Sequence, residues 1–152
     1  MSLPETEPRH IRAALFVDFD NIQIGLEQQD PSFAAEFATN PERWLTWLEK
    51  QMPCNYPGVG PAQRRILIRR CYMNPHKFSG FRPYFIRSAF EVIDCPPLTA
   101  RGKTSTDIHM VMDILDSLHE STYLHEFIIL SGDADFTPVL LRLRRHDRCN
   151  AV

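Results

Sequence analysis

Short apolar-rich runs alternate along the chain with longer segments in which apolar residues recur every three or four positions. The apolar-rich runs predict five strands, at 13–17, 66–72, 90–95, 126–130 and from 149 onward. An uninterrupted apolar run such as AALFV indicates a strand that is covered on both faces, as in a parallel sheet. Strands that alternate with helices predict an α/β fold with a mainly parallel sheet.

Helices are predicted between these strands, at about 33–37, 41–52, 79–89, 106–119 and 137–145. The Asn40-Pro41 pair predicts a helix start, because Asn is a favourable N-cap and Pro fits the first helical position. In the helix at 106–119 the apolar residues that fit the 3.6-residue period, and so predict its core-facing side, are Ile108, Val111, Met112, Leu115 and Leu118. In the last helix the residues expected to point partly inward are Leu140, Leu141 and Leu143.

The chain has 152 residues, which suits one domain. Hydrophobic residues make up 43% and charged residues 24%, and these values exclude a disordered or collagen-like chain. No apolar run approaches the roughly 20 residues that span a bilayer, and the first residues lack the apolar core of a secretory signal. We therefore expect a cytoplasmic protein with no membrane segment, a flexible tail at 1–12 and one domain at 13–152. The chain stops within its last predicted strand, so we expect that strand to be truncated and allow for a further C-terminal domain outside this chain.

Net charge and cysteine content exclude further classes of protein. The net charge of −2 excludes a globally basic nucleic-acid-binding protein but leaves room for a local basic groove. The four cysteines show neither C-x-x-C nor zinc-finger spacing, which predicts reduced thiols.

Carboxylates follow the predicted strands at the points where the strands end. Asp18 and Asp20 follow the first strand, Asp133 and Asp135 follow the fourth, and Asp107 opens the helix after the third. Parallel α/β sheets bind ligands at the carboxyl ends of their strands, so all five acids are expected at one edge. Such crowding of carboxylates is unfavourable unless a cation lies among them. Ligands that are all oxygen atoms suit Mg²⁺ or Mn²⁺. Either ion can activate water for attack on phosphorus. Taken singly, each acid has an alternative role as a turn or helix cap.

Three motifs carry these acids: FVDFDN at 16–21, KTSTD at 103–107 and ILSGDADF at 129–136. In this order they resemble the NYN domain family, LabA-like members of the PIN-like nuclease superfamily, over about 13–152. The resemblance implies a Rossmann-like three-layer α/β sandwich, as in PIN-like domains. It also implies a metal-dependent ribonuclease that hydrolyses phosphodiester bonds.

By matching positions, the resemblance implies that Asp18, Asp107, Asp133 and Asp135 hold Mg²⁺ or Mn²⁺ and act in catalysis together with Asn21. Two further acids are candidates. Asp20 stands where the family commonly has glycine, and Asp113 matches a second helix acid. The alternative for Asp113, as for Asp116, is a place on the solvated face of its helix. The loop at 101–107 is longer than the short lysine-glycine form of the family.

Residues beside this acidic edge are candidates for RNA binding. Arg101, Lys103 and Ser131 are the predicted nucleic-acid contacts, and arginines are also dense at 64–70 and 142–148. Three residues near the end of the second strand can either stack on unpaired bases or pack in the core: Tyr72, His76 and Phe78. Four aromatic residues are candidates for a homodimer contact: Phe33, Phe37, Trp44 and Trp47.

The leading hypothesis is a metal-dependent ribonuclease acting on RNA, with single-stranded RNA favoured. One alternative is a catalytically silent module of the same fold that binds RNA or protein. Another is a haloacid dehalogenase-type phosphatase, in which the first Asp of FVDFDN is a covalent nucleophile. That class expects a late G-D-x-x-x-D motif, whose acids stand farther apart than in the G-D-A-D of this chain.

Overall fold

The computed structural model describes residues 10–53, 63–98, 105–132 and 136–151. The strands within these ranges are β1 (His10–Asp18), β2 (Gln63–Met73), β3 (Glu91–Asp94), β4 (Glu126–Leu130) and β5 (Cys149–Ala151). The helices are α1 (Phe19–Gln29), α2 (Pro31–Thr39), α3 (Pro41–Lys50), α4 (Pro75–Phe78), α5 (Arg82–Arg87), α6 (Thr106–Ser117) and α7 (Thr137–Arg145). A single 3-10 turn at Ser79–Phe81 joins α4 to α5.

The five strands form one parallel sheet in the order β3-β2-β1-β4-β5. From β1 the chain builds outward through β2 and β3, then crosses to the other side of β1 for β4 and β5. The strand order therefore reverses between β1 and β4, and this is where open α/β sheets bind their ligands. The predicted α/β fold with a mainly parallel sheet is confirmed.

Helices cover both faces of the sheet, which makes a three-layer sandwich. On one face Ala13, Leu15 and Val17 of β1 are buried; their helical partners in this cluster include Phe19, Phe37, Leu45, Leu48 and Phe85. On the other face Ala14 and Phe16 are buried; their helical partners include Met110, Ile114, Val139 and Leu143. Because β1 is buried on both faces, its sequence is apolar without alternation.

The first two helices differ from the prediction. The helix α1 begins at Phe19, directly after β1, and α2 follows at Pro31, whereas the sequence predicted only a short helix at 33–37. The helix α1 has a weak apolar pattern, since it buries Phe19 and the polar Gln23. The start of α2 did carry a signal: the Asp30 carboxylate accepts hydrogen bonds from the amides of Ser32 and Phe33 at 3.1 and 3.3 Å, and proline follows it.

The side of α6 that faces the sheet agrees only in part with the prediction. Ile108 and Met112 are 66% and 57% exposed, although both belonged to the predicted core side. The buried residues of this helix are Thr106, Met110, Ile114 and Ser117. Val111 and Leu118 are partly buried against the core, as predicted. The packed side is rotated away from Ile108 and Met112, because two small hydroxyl residues lie on it. The Ser117 hydroxyl is satisfied there, since it donates to the Asp113 carbonyl at 2.7 Å.

The bounds of several other strands and helices differ from the prediction. The strand β1 begins at His10, so part of the predicted tail belongs to the sheet, and β2 extends beyond both predicted ends. The predicted helix at 79–89 is divided between the 3-10 turn and α5, and α4 lies before it; Ala89, with a positive φ of 62°, stands two residues after α5. The bounds of β4 and α7 match the prediction. Within α7, Leu141 is 60% exposed instead of inward.

Arg64 lies in the core rather than on a basic surface. Its guanidinium is paired with Glu126, and its Nη2 donates to Glu126 Oε2 at 3.0 Å. Both side chains are at most 2% exposed. The same guanidinium donates to the carbonyls of Met52 and Pro53, each at 3.1 Å. The pair therefore joins β2 and β4 to the chain that leaves α3.

Within the described ranges, no helix combines the length and the apolar content that crossing a bilayer requires. Cys71 and Cys95 are buried thiols outside any disulfide, as predicted.

Candidate active site

Asp18 lies where the strand order reverses. It is the last residue of β1, it is only 5% exposed, and α1 begins at the next residue. Ser131 follows β4 and donates its hydroxyl to Asp18 Oδ2 at 3.3 Å. The two neighbouring strand ends are therefore connected through the side chain of Asp18.

The environment of Asp18 disfavours its charge. Its pKa is raised to about 6, mainly because burial removes water and then because the Asp107 carboxylate lies near. Asp20 adds to the increase, while the Asn21 amide and the Ser131 hydroxyl act in the opposite direction. The described surroundings of Asp18 therefore supply more negative charge than positive charge.

Asn21 fixes the turn that follows β4. Its Oδ1 accepts the backbone N–H of Gly132 at 2.6 Å. A Cβ at position 132 would lie 2.9 Å from that oxygen, so a larger residue there would force the Asn21 side chain to shift. The amide side chain of the first motif thus contacts Gly132, the second residue of the SGDADF motif.

Asp20 performs a similar task toward the other neighbour of β1. Its Oδ1 accepts the backbone N–H of Asn74, just after β2, at 3.0 Å. Burial raises the pKa of Asp20, and the Asn74 amide and Lys77 partly offset this increase. One carboxylate oxygen of this candidate acid is therefore used to connect α1 to the exit of β2.

The two candidate acids of α6 have different surroundings. Asp107 is exposed in the first turn, where its charge acts on Asp18. Asp113 is half-buried, and its Oδ2 accepts the hydroxyl of Tyr72 at 2.6 Å. Burial, followed by this carboxylate, raises the pKa of Tyr72. Asp113 is therefore not on the solvated face of α6, in contrast to Asp116, which is exposed as expected.

Several predicted site residues lie outside the described ranges. These residues are Asp133, Asp135, Arg101 and Lys103. Among the residues that the structure describes, no group of three or more His, Cys, Asp or Glu side chains is placed to hold a metal ion. The described part of the candidate site therefore comprises Asp18, Asp107, Asn21 and Ser131, whereas Asp20 and Asp113 contact Asn74 and Tyr72.

The aromatic side chains near the end of β2 belong to the core. Tyr72 is fully buried and Phe78 is 5% exposed, which excludes both as base-stacking platforms. His76 is exposed, and its backbone N–H donates to Asn74 Oδ1 at 3.0 Å. The sequence reasoning missed Asn74, although Asn74-Pro75 carries the same helix-start signal as Asn40-Pro41.

A three-layer α/β sandwich with an acidic pair at its strand-order reversal is the architecture of PIN-like nuclease domains. The chain belongs to the NYN domain family of that superfamily, whose pattern it matches over residues 12–152. No match was found among curated proteins. The fold is similar to the crystal structure of a protein of unknown function from Vibrio parahaemolyticus. That likeness has a TM-score of 0.64 and 17% identity and covers 95% of this chain and 82% of the other.

Proposed function

We propose that this domain is a metal-dependent ribonuclease that hydrolyses phosphodiester bonds of single-stranded RNA at the carboxyl edge of its sheet. The observation that carries the proposal is the burial of the Asp18 carboxylate at the point where the strand order reverses, with the charge of Asp107 acting on it. A fold keeps such an unfavourable charge where a cation or a reacting group uses it. Membership in the NYN family supports the same conclusion.

The donor chemistry fits Mg²⁺ or Mn²⁺. Asp18, Asp107, Asp133 and Asp135 are the proposed ligands, and oxygen-only donors suit these hard cations. A bound cation would lower the pKa of a water molecule and stabilise the charge that develops on the phosphate oxygens.

The other residues position this set. Ser131 orients the Asp18 carboxylate through its hydroxyl. Asn21 holds Gly132, the residue directly before Asp133, through the amide contact. Arg101 and Lys103, with Ser131, are the proposed phosphate contacts, because charged and hydroxyl donors hold a nucleic-acid backbone in register.

The test is cleavage of end-labelled single-stranded RNA with Mn²⁺, with Mg²⁺ and with a chelator. We expect metal-dependent cleavage by the parent protein and a loss of at least about a hundredfold in Asp18→Asn, comparable to the loss of a major electrostatic contribution to catalysis. Asp116→Asn is the matched control, because it makes the same change at an exposed position of α6 and should cleave like the parent.

Three other outcomes contradict the proposal. Equal cleavage by parent and Asp18→Asn would identify a contaminating nuclease. Tight RNA binding with intact substrate after long incubation in Mn²⁺ would favour the silent binding module. A covalent phosphoenzyme on Asp18 would favour the phosphatase alternative, which has no support from the family membership.

A further inference from the structure

A row of basic side chains crosses the opposite, amino edge of the sheet. Arg65 of β2 is the register partner of Arg12 of β1. Ala13 is paired with Glu126, which places His125 beside Arg12; Glu126 is paired with Cys149, which places Arg148 beside His125. Two backbone hydrogen bonds confirm this adjacency: His125 N–H to the Arg12 carbonyl at 2.8 Å and Cys149 N–H to the His125 carbonyl at 2.9 Å. At the usual strand spacing, the row spans about 14 Å.

Neutral groups hold the guanidinium groups of Arg12 and Arg148 in place. Arg12 Nε donates to the Tyr123 carbonyl at 2.7 Å, and Arg148 Nη1 donates to the Tyr123 hydroxyl at 2.8 Å. The Arg148 guanidinium carbon lies 3.7 Å from the centroid of the Tyr123 ring, which is a cation–π contact. These contacts orient the charges without neutralising them.

The arginines of this row differ from other arginines in the part of the chain that the structure describes. Arginines elsewhere, such as Arg43 and Arg70, are paired with glutamates. In contrast, none of Arg12, Arg65 and Arg148 forms an ion pair with a described acid.

The last turn of α7, just before Arg148, adds three basic residues: Arg142, Arg144 and Arg145. Arg142 and Arg145 are exposed, and neither pairs with a described acid. Asp147 is the nearest acid along the chain; it is exposed and likewise forms none of the described ion pairs. The pKa of His125 is lowered by burial and then by Arg12 and Arg148, which fits a local excess of positive charge.

We propose that Arg12, Arg65 and Arg148, together with Arg142 and Arg145, bind the phosphate backbone of single-stranded RNA at a second site. We call this surface the basic edge. Like charges on adjacent strands are unfavourable unless an anion lies over them, and arginine is well suited to phosphate. The choice of RNA as the polyanion rests on the proposed function.

The basic edge is separate from the candidate active site. Arg12 and Asp18 stand near opposite ends of β1, about 20 Å apart at the rise of an extended strand. A long RNA can contact both places, whereas a dinucleotide at the active site cannot. The basic edge therefore predicts a preference for long substrates that arises from binding and not from the chemical step.

The test measures RNA binding without cleavage. We would titrate the protein into a labelled single-stranded RNA of about 20 nucleotides in chelator and measure fluorescence anisotropy at several salt concentrations. The variant is Arg65→Gln with Arg145→Gln, two exposed positions. The control is Arg43→Gln with Arg87→Gln, which removes the same charge from α3 and α5.

For single strands, each lost phosphate contact changes the slope of log K against log salt by about 0.7. The slope of the Arg65→Gln/Arg145→Gln variant should therefore be about 1.4 shallower than that of the parent, with affinity about tenfold lower at low salt. The control pair should retain the parent slope. An unchanged slope, or an equal change in the control pair, would overturn the proposal. If the double variant unfolds, each single variant should show about half of the effect.

This result is separable from that of the proposed function. Asp18→Asn should bind the long RNA with the parent slope while losing cleavage. A parent protein that binds through the basic edge and never cleaves would contradict the ribonuclease and retain the second site. If the Arg65→Gln/Arg145→Gln variant cleaves long RNA as well as the parent does, the second site is contradicted and the ribonuclease is retained.

Discussion

The proposed activity uses the buried charge of Asp18, and the same charge lowers the stability of the folded protein at neutral pH. Its pKa is raised from 3.8 to about 6 in the folded protein, so the folded state holds the proton more tightly than the unfolded state does. The contribution of Asp18 to folding is therefore fully present below pH 3.8 and is lost as the pH rises from there through about 6. A two-unit increase corresponds to about 3 kcal/mol of unfavourable free energy at neutral pH.

We predict that Asp18→Asn stabilises the metal-free protein at pH 7 by about 1–3 kcal/mol, since it removes this buried charge. Near pH 4 the effect should vanish. Urea unfolding at the two pH values, in chelator, measures both quantities. Asp116→Asn, at an exposed position of the same chain, should leave stability within about 0.5 kcal/mol. An Asp18→Asn variant that is less stable than the parent at pH 7 would show that other contacts compensate its charge.

Several roles of single residues were accessible from the sequence, and others were not. The positions of Asp18 and Ser131 follow from strand ends that a local pattern identifies. The hydrogen bond from Tyr72 to Asp113 joins a strand to a helix far along the chain, so no local pattern indicates it. The same is true of the Asp20 contact with Asn74, which connects two strand exits through one carboxylate oxygen.

Among the elements, α6 shows most clearly how periodicity and packing differ. Its apolar residues have the correct spacing for two sides of the helix, and the sheet buries the side that contains Met110 and Ile114. The other side leaves Met112 and Ile108 exposed. Periodicity measures spacing, but only contact with the sheet selects the side.

We predict that Ile114→Ala destabilises the protein by about 2–5 kcal/mol, because it leaves a cavity beneath α6. Met112→Ala on the exposed side should cost less than about 0.5 kcal/mol. The free energies of unfolding from denaturant titration give both values. Comparable losses at the two positions would mean that a partner or another part of the chain covers Met112.

The strand β2 also requires information that its own sequence lacks. Ala13 is paired with Ile66 and Ala14 with Ile68, so Leu67 is an additional residue in β2 and is 50% exposed. Such a bulge reverses the facing of all residues beyond it. Residues before and after Leu67 therefore alternate in opposite phase, so no single alternation of the two sheet faces holds along QRRILIRRCYM.

At the scale of the whole molecule, the buried Arg64–Glu126 pair connects β2, β4 and the chain after α3. Removal of one partner leaves a buried charge without compensation, which typically costs 3–5 kcal/mol. Replacement of both partners by apolar residues removes both charges together.

We predict that Arg64→Met destabilises the protein by about 3–5 kcal/mol and that adding Glu126→Leu recovers most of this loss. A double-mutant cycle of unfolding free energies gives the coupling between the two side chains. Losses that simply add would contradict a direct pair. Cleavage per folded molecule should not change, since the pair lies at the amino edge of the sheet, away from Asp18.

The sequence by itself determined the order and type of most elements, because the 2- and 3.6-residue periods are local properties of the chain. It also determined that acids follow the strand ends, since the parallel sheet brings those ends to one edge whatever the details of packing. Tertiary structure alone decided which side of α6 is buried, that Arg64 lies in the core, and that Arg65, Arg12, His125 and Arg148 form one row. These outcomes depend on register and packing between residues far apart in the chain, and neither is a property of any single segment.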